Sequence, residues 1–307
     1  MEVVLDENTP EEVLRELALK QKSEYIYSLY DANLSSEEMP PQYKKSKSIL
    51  CKIAKNPNTP PDILKELFNL FPIQVLNNIS LSLILLEHPY FLEEAYNTSL
   101  DNYTIFGMDN VPLLFEEWGV NHNDISIRKS AAYGIKSSFL LEQCLNDDNP
   151  GVRANVAANE NTPAHILEKL AFDENNEVRE ATARNINTPK NILSLLAQDK
   201  NSKIRISVAS NTNTSEETLN SLAKSKSRHL REVIAGNPNV NIKTLELLTK
   251  DECESVLSII ASNKKTPSHI LRALAAKNDY FINMALTVNP QTPRDILELI
   301  ASENDYS

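Results

Sequence analysis

An asparagine returns every 26 residues: Asn159, Asn185, Asn211, Asn237, Asn263 and Asn289. Leucines keep step at Leu167, Leu193, Leu219, Leu245, Leu271 and Leu297. A period of this size marks stacked units, each too small to bury its own apolar face. It limits the chain to a solenoid, which grows in length without needing one large core.

Each unit has two helical halves. The second opens on Thr-Pro (Thr162-Pro163, Thr188-Pro189, Thr266-Pro267, Thr292-Pro293). Threonine suits an N-cap and proline the first helical turn, so the sequence predicts a helix starting there. Glu12, Asp62, Glu217 and Asp295 follow a threonine by three residues, the spacing of a capping box. Ile166, Leu167, Leu170 and Ala171 then fall on one helical stripe. The first half is shorter and built on small residues, as in Val178, Ala181 and Ala183. No useful stretch alternates with period two, so an all-α architecture without a sheet is predicted.

The pattern (V/I)-R-x-x-(V/A)-A-x-N-x-N-T-P-x-x-(I/V)-L-x-x-L-A resembles the leucine-rich repeat variant family. The resemblance covers residues 127–302 well, 49–68 clearly, and catches 6–18. It implies a bacterial protein: a right-handed α-solenoid of short helix pairs, some 3₁₀-like, with a HEAT- or armadillo-like superhelix. Two departures are plain. The unit is about two residues longer than the family's usual one, and the cysteine cluster that holds an iron–sulfur centre in some members has no counterpart.

The remaining chain is less regular. Three regions follow: residues 1–68 with an insertion near 19–48, an acidic and aromatic helical segment at 69–126 whose register the sequence does not set, and the regular solenoid at 127–307. The insertion, rich in Ser, Glu, Pro and Lys, reads as an exposed mobile loop, with a helix at 23–30.

Charge is segregated. Residues 1–150 hold 12 Lys+Arg against 23 Asp+Glu, whereas residues 151–307 hold 19 of each. Between Lys65 and Arg128 there are nine acids and no base. A duplex-binding protein needs a basic stripe, so nucleic acid is not an expected partner, and a helical-repeat enzyme acting on DNA lesions is disfavoured. Cys51, Cys144 and Cys253 lie far apart and form no C-x-x-C pair, which suits a reducing compartment, the cytoplasm, and argues against a metal cluster. The start is acidic, without an apolar signal region, and no apolar run is long enough to span a membrane. No catalytic motif, metal set or cofactor-binding loop is present, so no cofactor and no enzyme activity are expected.

Two residue columns invite a role. Arg128, Arg153, Arg179, Arg205 and Arg231 form either a track for phosphate or carboxylate groups or an internal ladder. For the ladder, Asp147, Asp173 and Asp199 each stand five or six residues before an arginine, close enough to pair around the turn. The asparagine column reads as structural, its amides satisfying backbone groups in the turns between helices. The front half supplies the candidates for partner binding: Glu93, Glu94, Glu116, Glu117 and Trp118, on an acidic surface without local bases. These acids either form a solvated surface over an aromatic core or dock a basic partner. The overall expectation is a protein-interaction scaffold for a protein or peptide, with variable positions at Glu180, Arg184, Ile206, Ser210, Glu232, Ser258 and Met284. An acidic inhibitor that masks a basic toxin or nuclease is the rival.

Overall fold

The computed structural model describes residues 5–31, 41–98 and 102–304. Every regular element among them is a helix, and none is a strand. Contacts divide the chain into two units, residues 1–140 and 141–307.

In residues 141–307, helices of nine residues alternate with helices of seven or eight, up to the last helix. The first helices are Pro150–Ala158, Asn176–Arg184, Ser202–Ser210, Arg228–Gly236, Glu254–Ser262 and Tyr280–Val288. They pack directly on one another in succession. The second helices, such as Ala164–Leu170 and Lys190–Leu196, mainly brace the first helices on either side. Small residues explain the asymmetry, since Ala157, Ala183, Ala209, Ala235 and Ala261 are fully buried and let neighbouring backbones come close. Both halves are α-helical here, and the 3₁₀ segment lies elsewhere, at Asn102–Gly107. Leu167, Leu193, Leu219, Leu245 and Leu271 are fully buried, while Leu297 in the last repeat is half-buried.

Threonine does a different job from the one predicted. The second helices start one residue later, with Pro60, Pro163, Pro189 or Pro267 as the extended N-cap. The hydroxyls of Thr162, Thr188, Thr214, Thr266 and Thr292 instead donate backwards, to the carbonyls of Val156, Thr182, Val208, Ile260 and Leu286. Those carbonyls lie in the last turn of the first helix, where the C-cap asparagine N–H also reaches them in a short i→i+3 bond and the hydroxyl supplies a second donor. The threonine thus closes the helix before it. The carboxylates expected in capping boxes shift accordingly: Asp62 and Asp295 pair with Arg15 and Arg272 of the preceding second helix.

In residues 1–140 the units are irregular. The segment predicted as a mobile loop is largely helical. One helix runs Glu11–Asp31, covering the predicted 23–30 helix, and another runs Pro41–Lys55. The second is amphipathic, with Leu50, Ile53 and Ala54 fully buried, which explains why a Lys- and Ser-rich stretch folds. The part at 32–40 lies outside the described residues.

Residues 69–126 pack around aromatic rings. Phe106 stacks on Phe115 at 4.8 Å and Phe115 on Trp118 at 5.1 Å, while Tyr96 meets Phe106, Phe115 and Trp118. Two glycines make room for them. A Cβ on Gly119 would lie 2.3 Å from the Phe106 ring, and one on Gly134 would lie 2.7 Å from the Gly107 backbone nitrogen.

Candidate interaction surfaces

The arginine column sits between repeats. Arg153, Arg179 and Arg231 each reach 20 residues forward, to Asp173, Asp199 and Asp251. The Arg153–Asp173 and Arg179–Asp199 separations are 2.6 and 2.7 Å, with all four side chains largely buried. The acid predicted as each local partner contributes its backbone instead: Arg153 donates to the Asp147 carbonyl, Arg179 to that of Asp173 and Arg205 to that of Asp199. The reason is the turn. Each aspartate side chain accepts the N–H two residues on, as Asp173 does from Asn175, and this presents it to the arginine of the preceding repeat. Arg128 follows the same rule toward the carbonyls of His122 and Asn123. Arg205 departs from it, because Ser225 stands 20 residues on and no carboxylate among the described residues meets its guanidinium.

These contacts move the carboxylates. The Arg231 hydrogen bond holds Asp251 below the usual carboxylate range. For Asp173 and Asp199, burial alone pushes up, but the arginine and the turn N–H together outweigh it and the net shift is downward.

The asparagine column also bridges repeats. Asn185 donates to the carbonyls of Ala157 and Asn159, and Asn211 to those of Ala183 and Asn185. Asn237 and Asn289 repeat this double contact, and Asn263 reaches the Ala235 carbonyl. Each side-chain oxygen accepts the N–H two residues on, as Asn159 does from Asn161. A second set, Asn187, Asn213 and Asn239, bonds the preceding turn from outside, and the sequence reading passed over it.

The column also continues into the front. Asn56 donates to the Asp6 carbonyl, and Asn78 to those of Ala54 and Asn56. Asn78 therefore supplies the register that the sequence left open at this point. Asn78 opens an N–x–S, but at a spacing of 22 rather than 26 residues from Asn56.

With these polar groups engaged, the exposed positions are left to vary. On the first-helix face, Glu177, Glu180 and Arg184 line a pocket of about 290 Å³, and Arg184 pairs with Glu180. Two repeats on, Arg228 bonds Glu232, and both meet the Ser255 hydroxyl. Cys253 lies 3.2 Å from that hydroxyl, which pulls its thiol below the ordinary range. Arg228, Ser258, Ile259 and Phe281 border a neighbouring pocket of about 450 Å³. At Tyr280–Val288 the face is apolar: Tyr280, Phe281, Met284 and Val288 are all exposed. Of the variable positions, Met284 is open, whereas Ile206 is half-buried against the core.

The front candidates are not one acidic face. Glu116 is buried, 7% exposed, with its carboxylate 3.3 Å from the Lys136 backbone N–H. Burial pushes its pKa up. Glu94 is paired with Lys65 at 2.6 Å, and Asp109 with Lys136 at 2.6 Å, so these acids do have basic neighbours, brought in by the fold. Trp118 is half-buried in the ring stack. Glu93 is half-buried and Glu117 exposed, neither with an ion pair among the described residues. What the sequence reading missed is apolar: Ile79, Leu83, Leu86 and Tyr90 are 82, 65, 79 and 70% exposed around the helix Leu81–Glu87.

No protein-family model and no curated protein matches the chain. Among solved structures it is similar to one described as a leucine-rich repeat variant with a novel repetitive protein structural motif. The identity is 20% and the TM-score 0.46, over 69% of this chain and 84% of that one. The chain resembles a leucine-rich repeat variant. The likeness concerns the fold and names no partner. No helix among the described residues is long and apolar enough to cross a membrane, and none of their His, Cys, Asp and Glu side chains group as a metal site.

Proposed function

We propose that this protein is a non-catalytic scaffold that binds a protein or peptide, in the cytoplasm of a bacterium. One observation carries the reading: a constant frame under a variable surface. The arginines, asparagines and threonines recur and are consumed by backbone and carboxylate contacts between repeats. The positions beside them change from repeat to repeat, as in Glu180, Ile206, Glu232, Ser258 and Met284. A frame with its polar groups satisfied internally is free to present any side chain outward. The face from Arg228 to Val288, with its pocket and its exposed aromatics, is the most protein-like contact surface of the regular unit.

The test is capture from the source cell by the wild-type chain and by a Phe281→Asp/Met284→Asp variant. Both side chains are exposed, so the variant should melt as the wild type does. Loss of the same protein from the variant's catch supports the face. Equal catches from both would remove it. The rival, an acidic inhibitor of a basic toxin or nuclease, draws less support, since Glu94, Asp109 and Glu116 are engaged within the chain.

A further inference from the structure

The helix Leu81–Glu87 (LSLILLE) is apolar on two sides. Leu81 and Ile84 are buried in the core, at 4 and 8% exposure, while Leu83 and Leu86 point to solvent. Ile79 and Tyr90, in the turns at its two ends, extend the exposed side. Leu83 and Leu86 stand three residues apart, the step of a helical stripe. A surface helix needs one apolar stripe, and one that is apolar all round is normally buried. In the regular unit, second helices expose at most one or two large apolar side chains, as Leu195 and Leu247 at 41 and 37%. Ala164–Leu170 turns Glu168 and Lys169 outward where this helix turns leucine.

The setting of the stripe is acidic. Residues 66–127 contain no lysine or arginine. Glu87 closes the helix at its C-terminal end, where a negative charge meets the negative end of the dipole and a cation is favoured instead. Glu87 and Glu93 carry no ion pair among the described residues. Beside Glu87 is a pocket of about 430 Å³, bordered by Asp62, Lys65, Glu87, His88, Tyr90 and Phe91, with Lys65 taken up by Glu94. It is large enough to take an anchoring side chain.

Resting on the scaffold reading, we propose that this face docks an amphipathic helix whose apolar stripe is flanked by lysine or arginine. The exposed leucines supply a surface for helix-on-helix packing, and the unpaired glutamates supply charge complementarity. An anionic lipid surface is disfavoured by the same glutamates. A second copy of the chain would set two acidic rims against each other.

The probe is a synthetic leucine–lysine amphipathic helix of about 18 residues, five turns. Its control is a scrambled peptide of identical composition. Both are titrated into the full chain at low and high salt. The amphipathic peptide should bind about tenfold or more tighter than the scrambled one. Leu83→Ser/Leu86→Ser should remove most of that advantage, and Glu87→Lys/Glu93→Lys should weaken binding and flatten its salt dependence. All four side chains reach the surface, so matching thermal melts will show that the fold is kept. Equal binding of the two peptides, or binding indifferent to the leucine changes, would overturn the proposal. So would self-association of the wild type that the leucine changes abolish, since the occupant would then be a second copy. The Phe281/Met284 capture reads a different unit, so failure here leaves the scaffold reading to stand or fall by itself.

Discussion

Residues 141–307 and residues 1–140 stack helices by different means. The regular unit joins its repeats with polar ladders, in which Arg, Asn and Thr side chains donate to backbone carbonyls in the turns and at the helix ends. The front keeps the asparagine ladder only as far as Asn78, then turns to stacked rings and glycines that let them in. The ladder needs particular residues at particular intervals, so it repeats. Ring packing needs only volume and shape, so it need not repeat. Polar periodicity is therefore the part of a solenoid that persists in its sequence, and apolar filling is the part that drifts.

The hardest test of this contrast is Asn211→Ala. It removes the side-chain donor from the Ala183 carbonyl, one of two donors from the Asn185 carbonyl, and the acceptor of the Asn213 N–H, and should cost about 2–4 kcal/mol. A denaturant titration showing under about 0.5 kcal/mol would mean that the ladder is decoration. Next comes a comparison inside the arginine column. Arg179→Ala strands the largely buried Asp199, whereas Arg205→Ala loses only carbonyl contacts. Arg179→Ala should be the costlier by about 1–3 kcal/mol; equal losses would show that the carboxylate adds nothing.

On the front side, Gly134→Ala forces a methyl against the backbone at Gly107, and should destabilise by about 1–3 kcal/mol. An unchanged melt would mean that the packing there yields. The ladder aspartates and buried Glu116 should also respond oppositely to acid. Asp173, Asp199 and Asp251 have lowered pKa values, so their contribution is present above the ordinary carboxylate value of about 4 and is lost as pH falls through the lower folded value. Glu116 is raised, so its contribution is complete below that ordinary range and is lost as pH rises through the folded value. Glu116→Gln should therefore gain melting temperature relative to wild type more at pH 7 than at pH 4. A larger gain at pH 4 would mean that the Lys136 N–H outweighs burial. Last, Glu117→Lys, on an exposed side chain, should shift stability by under about 0.5 kcal/mol, in contrast to its buried neighbour.

The 26-residue period determined the fold class, the helix pairing and the identity of the ladder residues, because a backbone group left open at each turn must be met by a polar side chain at a fixed offset. Sequence distance alone could not say which partner each ladder residue meets. Asp173 is nearer in sequence to Arg179, yet its carboxylate is held by Arg153, because stacking brings the preceding repeat closer than the local turn does. Nor could it separate Glu116 from Glu117, adjacent acids that a helix turns about 100° apart, one held at the Lys136 N–H and one in water. The outward leucines of Leu81–Glu87 stand in a short apolar run whose sides sequence does not separate, and only packing showed that Leu83 and Leu86 are left exposed. Local chemistry repeats along a chain, so sequence records it; burial is a property of what arrives from elsewhere, and tertiary structure alone decides it.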